Sequence, residues 1–262
     1  MRFFGSFLVL TLLCSLFGPA PTAASGLLSV VPCKGAPDTV ICKKIAPGLP
    51  FETAAYIYKG VNPGPIVLVQ AGIHGNEPAG TLALEEWISE LKVTNGTLVL
   101  IPRMNVKALE AGRRFVARDL NRSFPGDKEA SQLESRLASY LYQFAQELHP
   151  ELVITLHESR LDRVIHKVCC GHSLIHVTPS TSHRFKAVLQ RINQDAKTRL
   201  DRFVAHYARH RGACSETYTD DFDAEAYSVE SWVRDPLPRR IALHQQVVQA
   251  FLSEWGLATN LP

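Results

Sequence analysis

The chain has 262 residues, of which 46% are hydrophobic and 20% charged. This length supports a domain with a conventional apolar core, and this composition excludes a disordered chain, a collagen-like chain and a mini-scaffold held only by disulfides. A formal net charge of +3 is too small to indicate a nucleic-acid-binding surface, so no nucleic-acid partner is expected.

The first 25 residues have the pattern of a secretory signal peptide. Arg2 precedes an apolar run over residues 7–17, and small residues follow at 22–25. The run is too short to span a bilayer, which needs about twenty apolar residues. We predict a signal peptide over 1–25, a single domain over 26–262, and a secreted or periplasmic protein with no membrane contact after cleavage. A retained membrane anchor is the alternative.

The cysteines allow disulfides in an exported chain. Cys33 and Cys42 can pair across the turn-like residues 34–38. Cys214 can pair with Cys169 or Cys170, but a reduced and buried Cys214 is an equally good reading.

Taken in chain order, the hydrophobic pattern alternates between strands and helices. Short β-rich runs precede an apolar run at 66–70 that indicates a strand buried on both faces, and from Glu77 onward apolar residues recur at helical spacing up to Leu91. Strands are predicted at 27–31, 39–45, 52–58, 66–70, 98–101, 152–156 and 226–230. Helices are predicted at 128–148, 183–200 and 239–255. This alternation predicts an α/β fold with a mixed, mostly parallel central sheet and helices on both faces.

Side chains able to bind metal follow the predicted strands. His74 and Glu77 come after the strand at 66–70, His157 follows the strand at 152–156, and Glu230 ends the strand at 226–230. In open α/β sheets, ligands bind outside the carboxyl ends of the strands. Two imidazoles and one carboxylate would leave a coordination position of Zn²⁺ open for water, as in hydrolytic sites. On spacing alone, His74 can instead stabilise the turn, and Glu77 can instead serve the helix dipole.

Two longer motifs favour metal binding over these local structural roles of His74 and Glu77. The stretch AGIHGNEPAG at 71–80 and the stretch RDLNRSFPG at 118–126 lie in the first half of the chain. Together they resemble the zinc carboxypeptidase superfamily, and in particular its succinylglutamate desuccinylase and aspartoacylase branch. The resemblance covers residues 65–230 and implies a zinc carboxypeptidase-like fold with one Zn²⁺ per chain, held by His74, Glu77 and His157.

The resemblance also implies the catalytic and substrate-binding residues. Asn121 and Arg122 match the pair that holds the substrate's carboxylate, and a guanidinium suits that task because it binds a carboxylate bidentately. Arg114 matches the arginine that polarises the scissile carbonyl, and Glu230 matches the glutamate that moves the proton. The alternatives for Arg114 are Arg103 and Arg113, and those for Glu230 are Glu216 and Glu225. The candidates for a tyrosine that closes over substrate are Tyr207, Tyr218 and Tyr227.

Other polar residues are expected to have lesser roles. Glu158 can orient a ligand, but exposure to solvent is the favoured reading. Arg160 and Arg163 can bias the pocket toward anions. The histidines at 166, 172 and 176 can suggest a second metal, although placement along strands explains them more simply.

The implied function is that of a secreted zinc-dependent amide hydrolase. In the aspartoacylase branch a further β domain covers the site, whereas 32 residues follow Glu230 here, so a more open pocket is expected. An open pocket in an exported protein favours a metallocarboxypeptidase acting on peptides with a free carboxylate, cell-wall peptides included. The alternatives are an N-acyl amino acid amidohydrolase and a non-catalytic peptide-binding protein. The oligomeric state is left open.

Overall fold

The computed structural model of the chain describes residues 28–31, 40–160 and 171–261. The predicted signal peptide, Cys33, Cys169, Cys170, Arg163 and His166 lie outside these ranges. Cys42 is disulfide-bonded, in keeping with the prediction of a disulfide at that residue. Cys214 is a free, buried thiol, so the alternative in which it forms a disulfide is wrong and the reading of a small buried residue is confirmed.

Within the described ranges, the strands form one nine-stranded sheet. The strands are Leu28–Val31 (β1), Ile41–Ile45 (β2), Thr53–Lys59 (β3), Asn62–Ala71 (β4), Asn95–Ile101 (β5), Leu152–Ser159 (β6), Ser173–His176 (β7), Val204–Tyr207 (β8) and Glu225–Trp232 (β9). The helices are Pro78–Glu85 (α1), Val106–Glu110 (α2), Leu133–Leu148 (α3), His183–Ile192 (α4), Cys214–Phe222 (α5) and Leu237–Glu254 (α6), with a 3₁₀ turn at Leu120–Arg122.

The centre of the sheet is parallel. Its order is β1-β2-β3-β5-β4-β6-β9-β7-β8, with β5, β4, β6 and β9 running in one direction. The strands β1 to β3 add an antiparallel flank next to β5, and β7 is antiparallel to β9. The carboxyl ends of β4, β6 and β9 therefore lie at the same edge. The predicted mixed sheet with a largely parallel centre is confirmed.

Helices cover both faces of the sheet, as predicted. One face carries α1, α4 and α6, and its apolar cluster includes Leu84, Phe185 and Phe251. The opposite face carries α3 and α5, with Leu137 and Tyr218 in its cluster. Successive side chains of a strand point to opposite faces of the sheet, and here helices bury both faces. The central strands are therefore apolar at consecutive positions.

Several element boundaries differ from the prediction. The first helix ends at Glu85 and continues as hydrogen-bonded turns, although the apolar stripe runs on to Leu91. The helix α4 ends at Ile192 instead of 200, and its C-cap residue Asn193 hydrogen-bonds through its side chain to the backbone of Phe203. The elements β7, β8 and α5 were not predicted. Among the described residues, no helix is long and apolar enough to cross a bilayer.

Candidate functional site

The turn after β4 brings His74 over the edge of the sheet. Gly72 adopts a positive φ of 71°, and a Cβ on Gly75 would lie 1.9 Å from the carbonyl carbon of Ala108. Glycine is required here because α2 passes directly against the turn. The sequence stretch between β4 and α1 is thereby folded tightly enough for His74 and Glu77 to face each other.

Glu77 occupies the N-cap position of α1, with Pro78 at the first helical position. Its carboxylate makes no capping bond with the helix. Instead, Glu77 Oε1 lies 2.9 Å from His74 Nδ1, and Oε2 lies 3.1 Å from His157 Nδ1. Glu77, and not Asn76 before it, therefore takes the cap position and turns its carboxylate toward the imidazoles.

His157 and Glu230 are neighbours across two parallel strands. They are paired in the register between β6 and β9, so both lie at the same edge of the sheet. His74 and His157 have ring centroids 5.0 Å apart. Three separate segments of the chain therefore meet at the predicted edge of the sheet, and they carry His74 with Glu77, His157, and Glu230.

His74, Glu77 and His157 fit a divalent metal. Each offers one donor atom, all three donors lie within 4.8 Å of one another, and all three residues are buried. His74 Nε2 lies 3.0 Å from Asp119 Oδ1, so a proton on Nε2 leaves the Nδ1 lone pair directed at Glu77. A lone pair facing a carboxylate requires a proton or a cation between them. Two imidazoles and a carboxylate are the donor set of a catalytic zinc site.

The charges of the site shift several pKa values. Burial acts to raise the pKa of Glu77, but the hydrogen bonds with His157 and His74 outweigh it and lower the pKa. The pKa of Asp119 is lowered in the same way, against burial, by His74 and Arg114. Burial, and then the negative charge of Glu77, raises the pKa of Glu230 to about 8. Glu77 is thus kept as an anion, while Glu230 is suited to exchange a proton near neutral pH.

The motif at 118–126 supplies polar groups on the other side of the triad. Asn121 Oδ1 accepts a hydrogen bond from the backbone N–H of Cys214 at 3.1 Å, which turns Nδ2 toward His157 Nε2, 3.5 Å away. Arg122 Nη1 donates to the Asn121 carbonyl at 2.6 Å. Arg114 donates to Glu77 Oε1 at 3.2 Å.

All seven predicted site residues line one cleft of about 890 Å³, a volume that includes its open mouth. The predicted residues in its wall are His74, Glu77, Arg114, Asn121, Arg122, His157 and Glu230. The predicted Arg160 also lines the cleft, together with His210 and Ser215, which sequence reasoning missed.

The structure separates the alternatives from the cleft. Arg103 forms an ion pair with Glu85, and Arg113 is exposed and does not line the cleft. Glu216 pairs with Arg209, and Glu225 accepts a hydrogen bond from the Tyr227 hydroxyl.

Of the tyrosine candidates, Tyr218 and Tyr227 are buried in the core and Tyr207 is exposed. None of the three tyrosines is among the described residues that line the cleft.

The expectation that Glu158 faces solvent is wrong. Its side chain is fully buried, pairs with Arg240 of α6, and accepts a hydrogen bond from the Ala79 N–H at 3.1 Å. His176 lies in β7, as the simpler interpretation expects, whereas His172 lies just before that strand and pairs with Asp235. Within the described ranges, the metal-binding cluster is that of His74, Glu77 and His157.

Comparison with known proteins gives the family. Residues 63–230 match the family model of the succinylglutamate desuccinylase/aspartoacylase catalytic domain. The chain belongs to this family. The resemblance predicted from the two motifs is confirmed.

Individual relatives match over part of their length. The N-alpha-acetyl-L-2,4-diaminobutyric acid deacetylase of Halomonas elongata is 40% identical over 101 residues, which are 36% of this chain and 28% of that protein. A succinylglutamate desuccinylase of Yersinia enterocolitica is 31% identical over 147 residues, which are 53% of this chain and 43% of that protein. The chain spans less than half the length of either relative.

Solved structures share the fold. The product-bound cell shape determinant protein Csd4 of Helicobacter pylori has a TM-score of 0.66 at 16% identity and covers 79% of this chain and 56% of its own. The ectoine utilization protein EutE (DoeB) of Ruegeria pomeroyi has a TM-score of 0.66 at 18% identity, covering 88% of this chain and 71% of its own. These neighbours share the α/β fold of this chain.

Proposed function

We propose that this chain is a zinc-dependent amide hydrolase that cleaves the amide next to a free carboxylate in peptides. The observation that carries the proposal is the shared cleft, in which the triad His74, Glu77 and His157 faces Glu230 on one side and basic side chains on the other. Membership of a family of deacylating enzymes supports the hydrolase class.

The basic wall of the cleft is suited to hold the substrate's carboxylate. Arg122 presents a guanidinium to the cleft, and Asn121 presents its amide Nδ2. Such a fork binds a carboxylate bidentately and fixes its orientation. Holding that carboxylate places the neighbouring amide beside the triad, which lowers the entropic part of the barrier.

The remaining residues act on the amide itself. Arg114, held between Glu77 and Asp119, donates to the carbonyl oxygen as negative charge develops there. Glu230, which lines the cleft beside the triad, accepts a proton from the attacking water and delivers it to the leaving amine. A Zn²⁺ held by His74, Glu77 and His157 supplies Lewis-acid polarisation and lowers the pKa of water.

A second candidate is hydrolysis of N-acyl amino acids. The relatives from H. elongata and Y. enterocolitica are a deacetylase and a desuccinylase of amino acids, which supports it. Csd4, which shares the fold, is described as a D,L-carboxypeptidase with an mDAP-bound form, which supports peptides, those of the bacterial cell wall included. The open mouth of the cleft favours the peptide.

We also propose that the protein acts outside the cytoplasmic membrane, after removal of residues 1–25. The support is the charged, apolar and small-residue order of that segment. Fractionation of the expressing cells, with N-terminal sequencing of the mature protein, tests this.

A substrate panel tests the proposed reaction. The zinc-loaded protein is offered short peptides with free carboxyl termini, the same peptides amidated, and N-acetyl and N-succinyl amino acids, with products identified by mass spectrometry. Peptides with a free carboxyl terminus should be cleaved about a hundredfold faster than amidated ones. The reason is that an uncharged carboxamide terminus cannot form a charged bidentate pair with the Arg122 guanidinium. Equal rates on both would overturn the peptidase, and turnover of acyl amino acids alone would replace it with the second candidate.

A further inference from the structure

The segment 113–119, here called the arginine loop, touches the metal-binding cluster at both of its ends. At one end, Arg114 Nη1 donates to Glu77 Oε1 at 3.2 Å. At the other end, Asp119 Oδ1 lies 3.0 Å from His74 Nε2. Arg114 Nε and Nη2 also donate to Asp119 Oδ2, at 3.2 and 3.1 Å, and so join the two ends. Small movements of this loop would therefore displace both side chains from the site.

The loop has no regular structure of its own to hold it. Residues 113–118 are exposed and lie outside helices and strands. Near its start, backbone bonds join Arg113 N to the Ala108 carbonyl and Gly75 N to the Arg114 carbonyl, at 3.0 and 3.4 Å. A loop of this kind would be mobile without a further anchor.

Glu134 supplies that anchor from the first turn of α3. Its Oε1 accepts hydrogen bonds from the backbone N–H groups of Val116 and Ala117 at 2.7 and 3.1 Å. Its Oε2 accepts from the N–H groups of Ala117 and Arg118 at 3.3 and 3.2 Å. Three consecutive backbone amides thus converge on one carboxylate, and Glu134 is fully buried.

We propose that Glu134 is a positioning residue for the site: its buried carboxylate fixes the middle of the arginine loop so that Arg114 and Asp119 reach the metal ligands. Only an acceptor with two oxygens satisfies three adjacent N–H groups at once. The side-chain amide of a glutamine would present an NH₂ group to these donors and leave some of them unsatisfied in a buried place. The part of the argument that concerns Arg114 acting on substrate rests on the proposed function.

The first test needs no substrate. Hydrogen exchange, followed by mass spectrometry on the zinc-loaded full chain, is compared for wild type, Glu134→Gln and the control Glu147→Gln, which changes an exposed glutamate of the same helix. Exchange in the arginine loop should accelerate about tenfold or more in Glu134→Gln alone, because charged hydrogen bonds are lost. Exchange in β6 and α6 should be unchanged. The zinc dissociation constant should rise about tenfold, since Asp119 no longer orients His74 firmly.

The second test separates positioning through Arg114 from a purely structural role. With a substrate from the panel above, Glu134→Gln should lower kcat with little change in KM, and should add little to the loss caused by Arg114→Ala. If Glu134→Gln does not fold, Glu134→Asp keeps the charge with a shorter reach and should show a smaller effect at the same amides.

The outcomes distinguish this proposal from the proposed function. Loop exchange equal to that of wild type, or exchange that accelerates equally throughout the chain, would overturn the role of Glu134. Failure to find a hydrolysed substrate, with loop exchange and zinc affinity changed as expected, would count against the proposed function while the positioning role stood.

Discussion

At the scale of single residues, the site depends on Glu77, whose side chain does not make the hydrogen bond that is usual at its position. Glu77 stands at the N-terminus of α1, where a carboxylate commonly caps the helix, yet it faces two imidazoles instead. Losing the capping bond is offset because the charge of Glu77 remains close to the positive end of the helix dipole. The carboxylate also gains the hydrogen bonds with His74 and His157. A candidate metal ligand is thereby held at the start of a helix.

Glu230 provides the sharpest test of the chemistry. Changing Glu230→Gln should reduce turnover by about a hundredfold or more, since an amide cannot accept and return a proton. Zinc content should stay at one per chain, because Glu230 is not among the three clustered donors. Rates on the best substrate of the panel and metal analysis of the purified variant check both points.

The matched control is Glu225→Gln, at the opposite end of the same strand, where the carboxylate bonds to the Tyr227 hydroxyl. This variant should keep wild-type turnover. A Glu230→Gln enzyme as active as the control would remove Glu230 from the mechanism.

Residues of the two motifs could be assigned to the site from the sequence. The residues that hold the motifs in position could not. His74, Glu77 and Arg122 lie in long, specific motifs, and the strand-end rule brings His157 to the same edge. Glu134 and Glu158 carry no local signal of their role, because their partners are backbone amides that only the tertiary fold brings near. Hydroxyl and imidazole groups such as Ser215 and His210 come from a segment whose strand and helix were not predicted.

At the scale of elements, Glu158 joins three of them. It lies on β6 next to His157, its backbone N–H donates to Glu77 at 3.1 Å, and its carboxylate accepts from Ala79 in the first turn of α1. Arg240 of α6 is its ion-pair partner. Glu77 at the start of α1 and His157 on β6, two of the candidate metal ligands, are thus connected to α6 through one buried ion pair.

We expect this pair to show strong coupling in stability. Glu158→Gln and Arg240→Met should each lower the free energy of unfolding of the metal-free protein by about 3–5 kcal/mol, because each leaves a buried partner uncompensated. The double variant should lose much less than the sum of the two. Urea unfolding of the four proteins measures the coupling.

The exposed Arg239 on the same helix provides the control. Arg239 contacts Asp235 at 3.0 Å and is 46% exposed, so Arg239→Met should cost about 0–1 kcal/mol. Additive losses for Glu158→Gln and Arg240→Met would mean that the two side chains do not act as a pair.

Elements with long apolar runs could be predicted, and short ones could not. The strands β4, β5 and β6 and the helix α3 follow the hydrophobic period over enough residues to be unambiguous. The strands β7 and β8 have four residues each, too few for a period to show. The helix α5 has a weak apolar stripe, and only the packing of Tyr218 and Cys214 into the core reveals it.

At the scale of the whole molecule, the buried polar layer behind the cleft makes stability depend on pH. His244 of α6 is fully buried, and its Nε2 lies 3.0 Å from the Ser231 hydroxyl, next to Glu230 on β9. Burial, with the positive charges of His157, His172 and Arg240, lowers the pKa of His244 to about 3, and Glu77 only partly opposes this. The folded protein therefore keeps His244 neutral well below the pH at which an unfolded histidine is protonated.

The sign of the effect follows from the protons bound. Between about pH 6.5 and pH 3 the unfolded chain binds a proton at His244 that the folded chain does not, so stability falls as the pH falls, by up to about 1.4 kcal/mol per pH unit from this group. In His244→Gln, which can keep the bond to Ser231, the free energy of unfolding should depend less steeply on pH in this window. The control His183→Gln, at an exposed site at the start of α4, should keep the wild-type slope. Urea unfolding of the metal-free proteins at pH 4, 5, 6 and 7 measures these slopes, and parallel lines for the two variants would show that His244 does not set the acid sensitivity of the fold.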